Sequence, residues 1–127
     1  PLDAAQLGAK MKAGRVDFLN TYRGKEVFVR GLVSGTSRAP EPFVHLAGGI
    51  VRVTFAADAR QEDLRRLMDL HQENSKTNRD VRRTSTFTMR QPGDVLFYGL
   101  AVCDGIMRGR IEFRDCRHFC QMRVLTD

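Results

Sequence analysis

From Lys25 onward the apolar residues of this 127-residue chain recur at every second position, and that spacing restricts the fold more than any other feature. In "GKEVFVRGLVSG" Val27, Val29 and Val33 fall on one side of an extended chain, with Phe28, Arg30 and Leu32 on the other. "TSRAPEP", with two prolines, reads as a loop. "FVHLAGGIVRVTFA" then reads as two short strands meeting at Gly48-Gly49. Val44 and Leu46 face inward on the first, and Val51, Val53 and Phe55 on the second. A second hairpin follows over 93–116. Its inner side carries Val95, Phe97, Ile111 and Phe113, and its other side carries Tyr98, Arg110 and Arg114.

Two segments change to helical spacing. "LDAAQLGAKMKAGRVDFLNTY" places Leu7, Met11, Phe18, Leu19 and Tyr22 on one side, while Gly8 and Gly14 interrupt it. A broken helix or two short ones are predicted over 1–23, covering one mouth or edge of the strands. "DARQEDLRRLMDLH" predicts a second helical region, with Asp58 as N-cap and Leu64, Leu67, Met68 and His71 on one stripe. Glu62 and Asp63 suit the positive end of its dipole. Residues 72–92 lack a sustained apolar period and read as a basic loop insertion or extended hairpin tip, with a short tail from Phe119 at the other end.

The order helix, strand, hairpin, helix, hairpin predicts a mainly β, single domain over 1–127. A five-stranded barrel with a helix between its third and fourth strands has this order; it is the oligonucleotide/oligosaccharide-binding (OB) fold. Hydrophobic residues make up 42% of the chain, enough to fill such a barrel.

Charge narrows the partner. Lys and Arg number 21 against 15 Asp and Glu, a net +6, and most of the cations are arginine. Guanidinium forks match phosphate oxygens, so a polyanion, first of all nucleic acid, is the expected partner. No apolar run approaches the ~20 residues that cross a bilayer, and no membrane partner is expected. Three cysteines are too few for a disulfide framework and predict a reducing, intracellular setting, without distinguishing nucleus, cytoplasm or mitochondrion. The chain begins at Pro1, as a processed product or an excised fragment would.

"NTYRGKEVFVRGLV", "VRVTF", "GDVLFYGLAV" and "IEFRDC" together resemble the tRNA-anticodon-like OB-fold family. The positions that carry the resemblance are Asn20, Tyr22, Gly24, Lys25, Val27, Val29, Gly31, Val33, Gly93, Asp94, Gly99, Asp115 and Cys116. It spans roughly residues 16 to 116, interrupted by the basic insertion. The resemblance implies an OB barrel, a fold that also serves as a protein–protein adaptor.

By strand parity Phe28, Arg30, Phe43, His45, Arg52, Tyr98 and Arg110 point outward. Aromatic rings stack on bases and arginines track phosphates, so Phe28, Phe43 and Tyr98 are predicted to stack. Arg30, Arg52, Arg108 and Arg110 are predicted phosphate contacts, joined by Arg82 and Arg83 of the insertion. The expected ligand is single-stranded nucleic acid, RNA before DNA, held in a ribonucleoprotein or other multi-subunit assembly. Leu32, Leu96, Leu100 and Ile50 also fall outward and favour the alternative of a protein–protein adaptor.

Catalysis is not expected. His45, His71 and His118 are scattered, and no nucleophile elbow or phosphate loop occurs, so no cofactor or small-molecule substrate is predicted. Cys103, Cys116, His118 and Cys120 supply zinc-binding atom types. They lack a C-x-x-C knuckle, and C-x-H-x-C along one strand spaces ligands poorly.

Overall fold

A computed structural model of the protein describes residues 1–38, 40–84 and 94–123, with backbone alone for 73–84 and 123. Its six strands form one sheet in the order β1-β2-β3-β4-β6-β5, closed by a further pairing of β2 with β5. The strands are β1 (Leu2–Asp3), β2 (Glu26–Ser37), β3 (Phe43–Leu46), β4 (Val51–Phe55), β5 (Val95–Met107) and β6 (Arg110–Arg123). β2 closes the barrel because it is long enough to serve two neighbours. Its first half pairs antiparallel with β5, and its second half pairs with β3 past a register shift between Val33 and Gly35. β4 and β6 run parallel, and helix α3 (Gln61–Thr84) lies between β4 and β5 in the chain. Five strands closed in this order, with the helix after the third, make the OB-like barrel that the sequence order predicts.

The parity of the strands holds throughout the core. Val29, Val44, Leu46, Val51, Val53, Val95, Phe97 and Ile111 are all fully buried. Each such side chain contributes about 1.5–3 kcal/mol when removed from water, which is why a one-residue slip is not tolerated. Gly99 keeps the inner wall thin: a Cβ there would stand 2.6 Å from the Phe97 ring and 3.1 Å from Cys116 Sγ. Gly31 does the same where a helix approaches, since its Cβ would meet that of Ala4 at 2.8 Å.

The N-terminal segment forms two helices, α1 (Ala4–Ala13) and α2 (Arg15–Tyr22), divided at Gly14. Asp3 starts α1, its carboxylate accepting from the Ala5 amide at 2.9 Å. Leu7 and Met11 of α1 and Phe18 of α2 enter the barrel core. Leu2 and Asp3 add a short parallel strand beside Val29 and Arg30 of β2, a pairing that two residues give no periodic signal to predict. Leu64, Leu67 and Met68 of α3 are buried, as their stripe predicts.

Three expectations need correction. The helix begins at Gln61 rather than just after Asp58, whose carboxylate instead accepts from Arg117 Nε at 3.1 Å. The helix also continues to Thr84, so 72–84 is helix and not loop. That stretch is polar but contains neither Gly nor Pro, and nothing in its backbone chemistry stops the helix. The remainder of the expected insertion, with Phe87 and Arg90, lies outside the described residues, as do Gly93 and, in the prolyl loop, Ala39. Lastly, residues 119–123 are strand rather than tail. β6 runs to Arg123, and Phe119 packs 4.7 Å from Phe55 and 6.0 Å from Phe97 between ring centroids.

Candidate nucleic-acid interface

The outward residues of β3, β4 and the first half of β6 form one continuous row. In register, His45 stands opposite Arg52, and Arg52 opposite Glu112. Phe43, two residues before His45, lies on the same face and stacks on its imidazole at 4.8 Å and 26°. The Arg52 guanidinium lies over the Phe43 ring, 4.8 Å from its centroid. Phe43, His45 and Arg52 are each half-buried, leaving part of a mixed aromatic and cationic surface open to solvent. Arg110 joins it from the start of β6, and its Nε donates to the Gly49 carbonyl at 2.8 Å. That bond ties the β5–β6 hairpin to the β3–β4 turn, where Ala47, Gly48 and Gly49 all take positive φ.

The electrostatics of this row are compact. Burial, then the charges of Arg110 and Arg52, hold the His45 imidazole below its ordinary pKa. Glu112 Oε2 lies 3.6 Å from Arg52 Nε, and burial raises its carboxyl pKa although Arg52 and Arg110 pull it down. The surface therefore presents a neutral imidazole stacked beside an aromatic ring, two guanidinium groups and one covered carboxylate. Stacking on the ring and bidentate contact with the guanidinium groups are the chemistry such a set offers.

Phe28 and Tyr98 are placed elsewhere. Both point outward as predicted, with ring centroids 6.3 Å apart, but on the face formed by β2, β5 and the second half of β6. Nine positions of β2 separate Phe28 from Ser37, the partner of Phe43, about 30 Å of strand at 3.3 Å per residue. The three aromatic residues expected to act together thus belong to two surfaces. On the second surface the rungs are Leu32–Leu96–Met122, Arg30–Tyr98–Cys120 and Phe28–Leu100–His118. Phe28 is 44% exposed and Met122 56%. Arg30 is turned from the rings toward Asp3, its Nε 3.6 Å from the carboxylate.

Other expected contacts are dispersed. Arg108 occupies the tip of the β5–β6 hairpin with φ 55°, followed by Gly109 at φ 76°, the paired positive angles of a two-residue hairpin turn. Arg82 and Arg83 lie in the last turn of α3, where only the backbone is described. Arg114 is held by Asp104 and Asp115. Among the described residues, Arg108 and Arg110 are the two cations of the predicted site that form no ion pair. Apart from Asp115, the chain neighbour of Arg114, the matching carboxylates carry no local sequence signal, because strand register rather than chain proximity brings them to their arginines. Glu112 is a second exception, since the alternation in "RIEFR" places it outward between Arg110 and Arg114.

The cysteine and histidine set does not converge. Cys103 and Cys116 are buried inside the barrel, whereas His118 and Cys120 stand exposed on its outside. Among the described residues no three His, Cys, Asp or Glu side chains are grouped to hold a metal ion. No described helix is long and apolar enough to cross a membrane.

No known protein family matches the chain, and neither does any curated protein or solved structure. The barrel assignment rests on strand order and closure.

Proposed function

We propose that this chain is a non-catalytic OB module of the tRNA-anticodon-like kind that binds single-stranded nucleic acid, RNA before DNA, within a larger assembly. The observation that carries this reading is the Phe43–His45–Arg52 stack, with Arg110 beside it, on the outer face of β3 and β4. OB barrels offer the corresponding strands and their flanking loops to oligonucleotides. Bases stack on Phe43 while Arg52 and Arg110 contact the phosphates. Binding is largely electrostatic and only mildly sequence-selective.

A second reading attaches to a different observation. Phe28, Leu32, Tyr98, Leu100 and Met122 make the β2–β5–β6 exterior an apolar face, although Leu96 between Leu32 and Met122 is itself buried, and such a face suits a protein partner better than a strand of phosphates. On this reading the chain is an adaptor within a ribonucleoprotein and touches nucleic acid little.

Titration of labelled oligo(U) between low and moderate salt separates the two. The first reading expects binding whose logarithm falls linearly with log salt, by about 0.7 for each phosphate neutralised. Protein that holds no oligo(U) at low salt, yet co-purifies with protein partners from nuclease-treated extract, follows the second.

A further inference from the structure

We propose that Glu112 is a resident counter-anion of the nucleic-acid face, which a backbone phosphate must displace from Arg52 in order to bind. The inference rests on the nucleic-acid reading of this surface and identifies the residue that limits its affinity.

The position of Glu112 is unusual for a carboxylate. It lies on the outer side of β6 two residues from Arg110, and register sets it directly across from Arg52 of β4. Although it points outward, its side chain is only 13% exposed, against 33% for Arg52. The carboxylate is therefore the more covered of the two, and the arginine keeps part of its side chain in solvent although its Nε is buried. Burial raises the Glu112 pKa, and Asp104 of β5 pushes it the same way against the pull of Arg52 and Arg110. Burial works against ionisation at this place, so the carboxylate depends on the arginines beside it to stay charged.

The Arg52–Glu112 pair is also exchangeable. At 3.6 Å from the carboxylate, Arg52 Nε is beyond hydrogen-bond reach, and it has no hydrogen-bond partner among the described residues. Charge holds the pair, with no directional bond to lock it. Arg110, by contrast, is fixed through its 2.8 Å bond to Gly49. A phosphate has the oxygen geometry that a guanidinium fork prefers and can take Arg52 from Glu112. An isolated phosphate gains little by replacing one anion with another. A strand that also stacks a base on Phe43 gains more, so the counter-anion biases the face toward polymers over free anions.

The test is Glu112→Gln, which keeps the shape and removes the charge, with Glu26→Gln at the start of β2 as a control of equal charge change. Fluorescein-labelled oligo(U) is titrated by anisotropy at pH 7.5 over a range of salt. Glu112→Gln is expected to bind about three- to tenfold tighter than wild type, with a salt slope steeper by about 0.7, and Glu26→Gln at most about twofold tighter. Glu112→Asp, which draws the charge back one methylene from Arg52, falls between. Wild-type protein that binds oligo(U) while Glu112→Gln merely equals Glu26→Gln overturns the counter-anion and leaves the nucleic-acid reading standing. If wild type and variants alike fail to bind, both are overturned. Should Glu112→Gln not fold, Glu112→Asp binding no tighter than wild type overturns the inference instead.

Discussion

The barrel has two outer faces built by the same alternation, and they differ in what the alternation exposes. On β3–β4–β6 the outward positions carry Phe43, His45, Arg52, Arg110 and Glu112, in a row where ring, imidazole and guanidinium touch. On β2–β5–β6 they carry Phe28, Leu32, Tyr98, Leu100 and Met122, with Leu96 buried among them, and Arg30 is diverted to Asp3. Parity alone sorts inside from outside and is blind to this distinction. Strand register decides it, because register determines which outward residues become neighbours. A wet, charged surface and a dry, apolar one then follow from one closed sheet, and each suits a different class of partner.

The coarsest way to break the comparison is to block one face and leave the other open. Cys120 stands exposed beside Tyr98 in the centre of the apolar face. Cys103 and Cys116 are buried, and burial raises both thiols, that of Cys116 to about 12. A bulky maleimide is therefore expected to label one of the three cysteines in the native protein, which intact-mass spectrometry would count. The adduct should exclude a protein partner from this face altogether while oligo(U) affinity stays within about twofold. Loss of oligo(U) binding on labelling would mean that the strand crosses the apolar face, and the division into two surfaces would fail.

A finer cut exchanges one ring on each face. Phe43→Ala removes the ring on which His45 stacks and over which Arg52 lies, and is expected to cost about 1–3 kcal/mol of oligo(U) binding. Phe28→Ala removes a more exposed ring on the other face and should leave that affinity unchanged. Equal losses would show that the original grouping of Phe28, Phe43 and Tyr98 describes one ligand path after all.

That grouping marks the limit of what the chain discloses before it is folded. The period-two runs, the Gly48-Gly49 turn and the Leu64–Leu67–Met68 stripe were enough to place the five strands and the helix between them, since each is a local pattern. The continuation of α3 through 72–84 was not legible, because a polar helix has no apolar stripe and its tell-tale is only the absence of Gly and Pro before Pro92. Outward residues were identified one by one, yet their partners were not. Asp3 for Arg30, and Asp104 for Arg114, are brought together by pairing between strands, and no spacing along the chain records it.

The smallest expected effect is in pH, and it sets the two thermodynamic roles of the charged face against each other. With the His45 imidazole held below its ordinary value of 6.5, the unfolded chain takes up that proton first. Its contribution to stability is present above 6.5 and is lost as pH falls through the lowered value. Glu112 acts in the opposite sense. Its carboxyl is raised from 4.5, so the folded chain takes that proton first, and its stabilising contribution is present below 4.5 and lost as pH rises through the raised value. In folding the two groups oppose each other. In polyanion binding they act together, since protonation adds a positive charge at His45 and removes a negative one at Glu112. As pH falls from above 6.5 toward 4.5 oligo(U) affinity should therefore rise, by about threefold for each charge changed, while the melting temperature moves little on their account. The double variant His45→Asn, Glu112→Gln should bind with an affinity that is flat over this range. If it keeps the wild-type rise, the titrating groups lie off the β3–β4–β6 face.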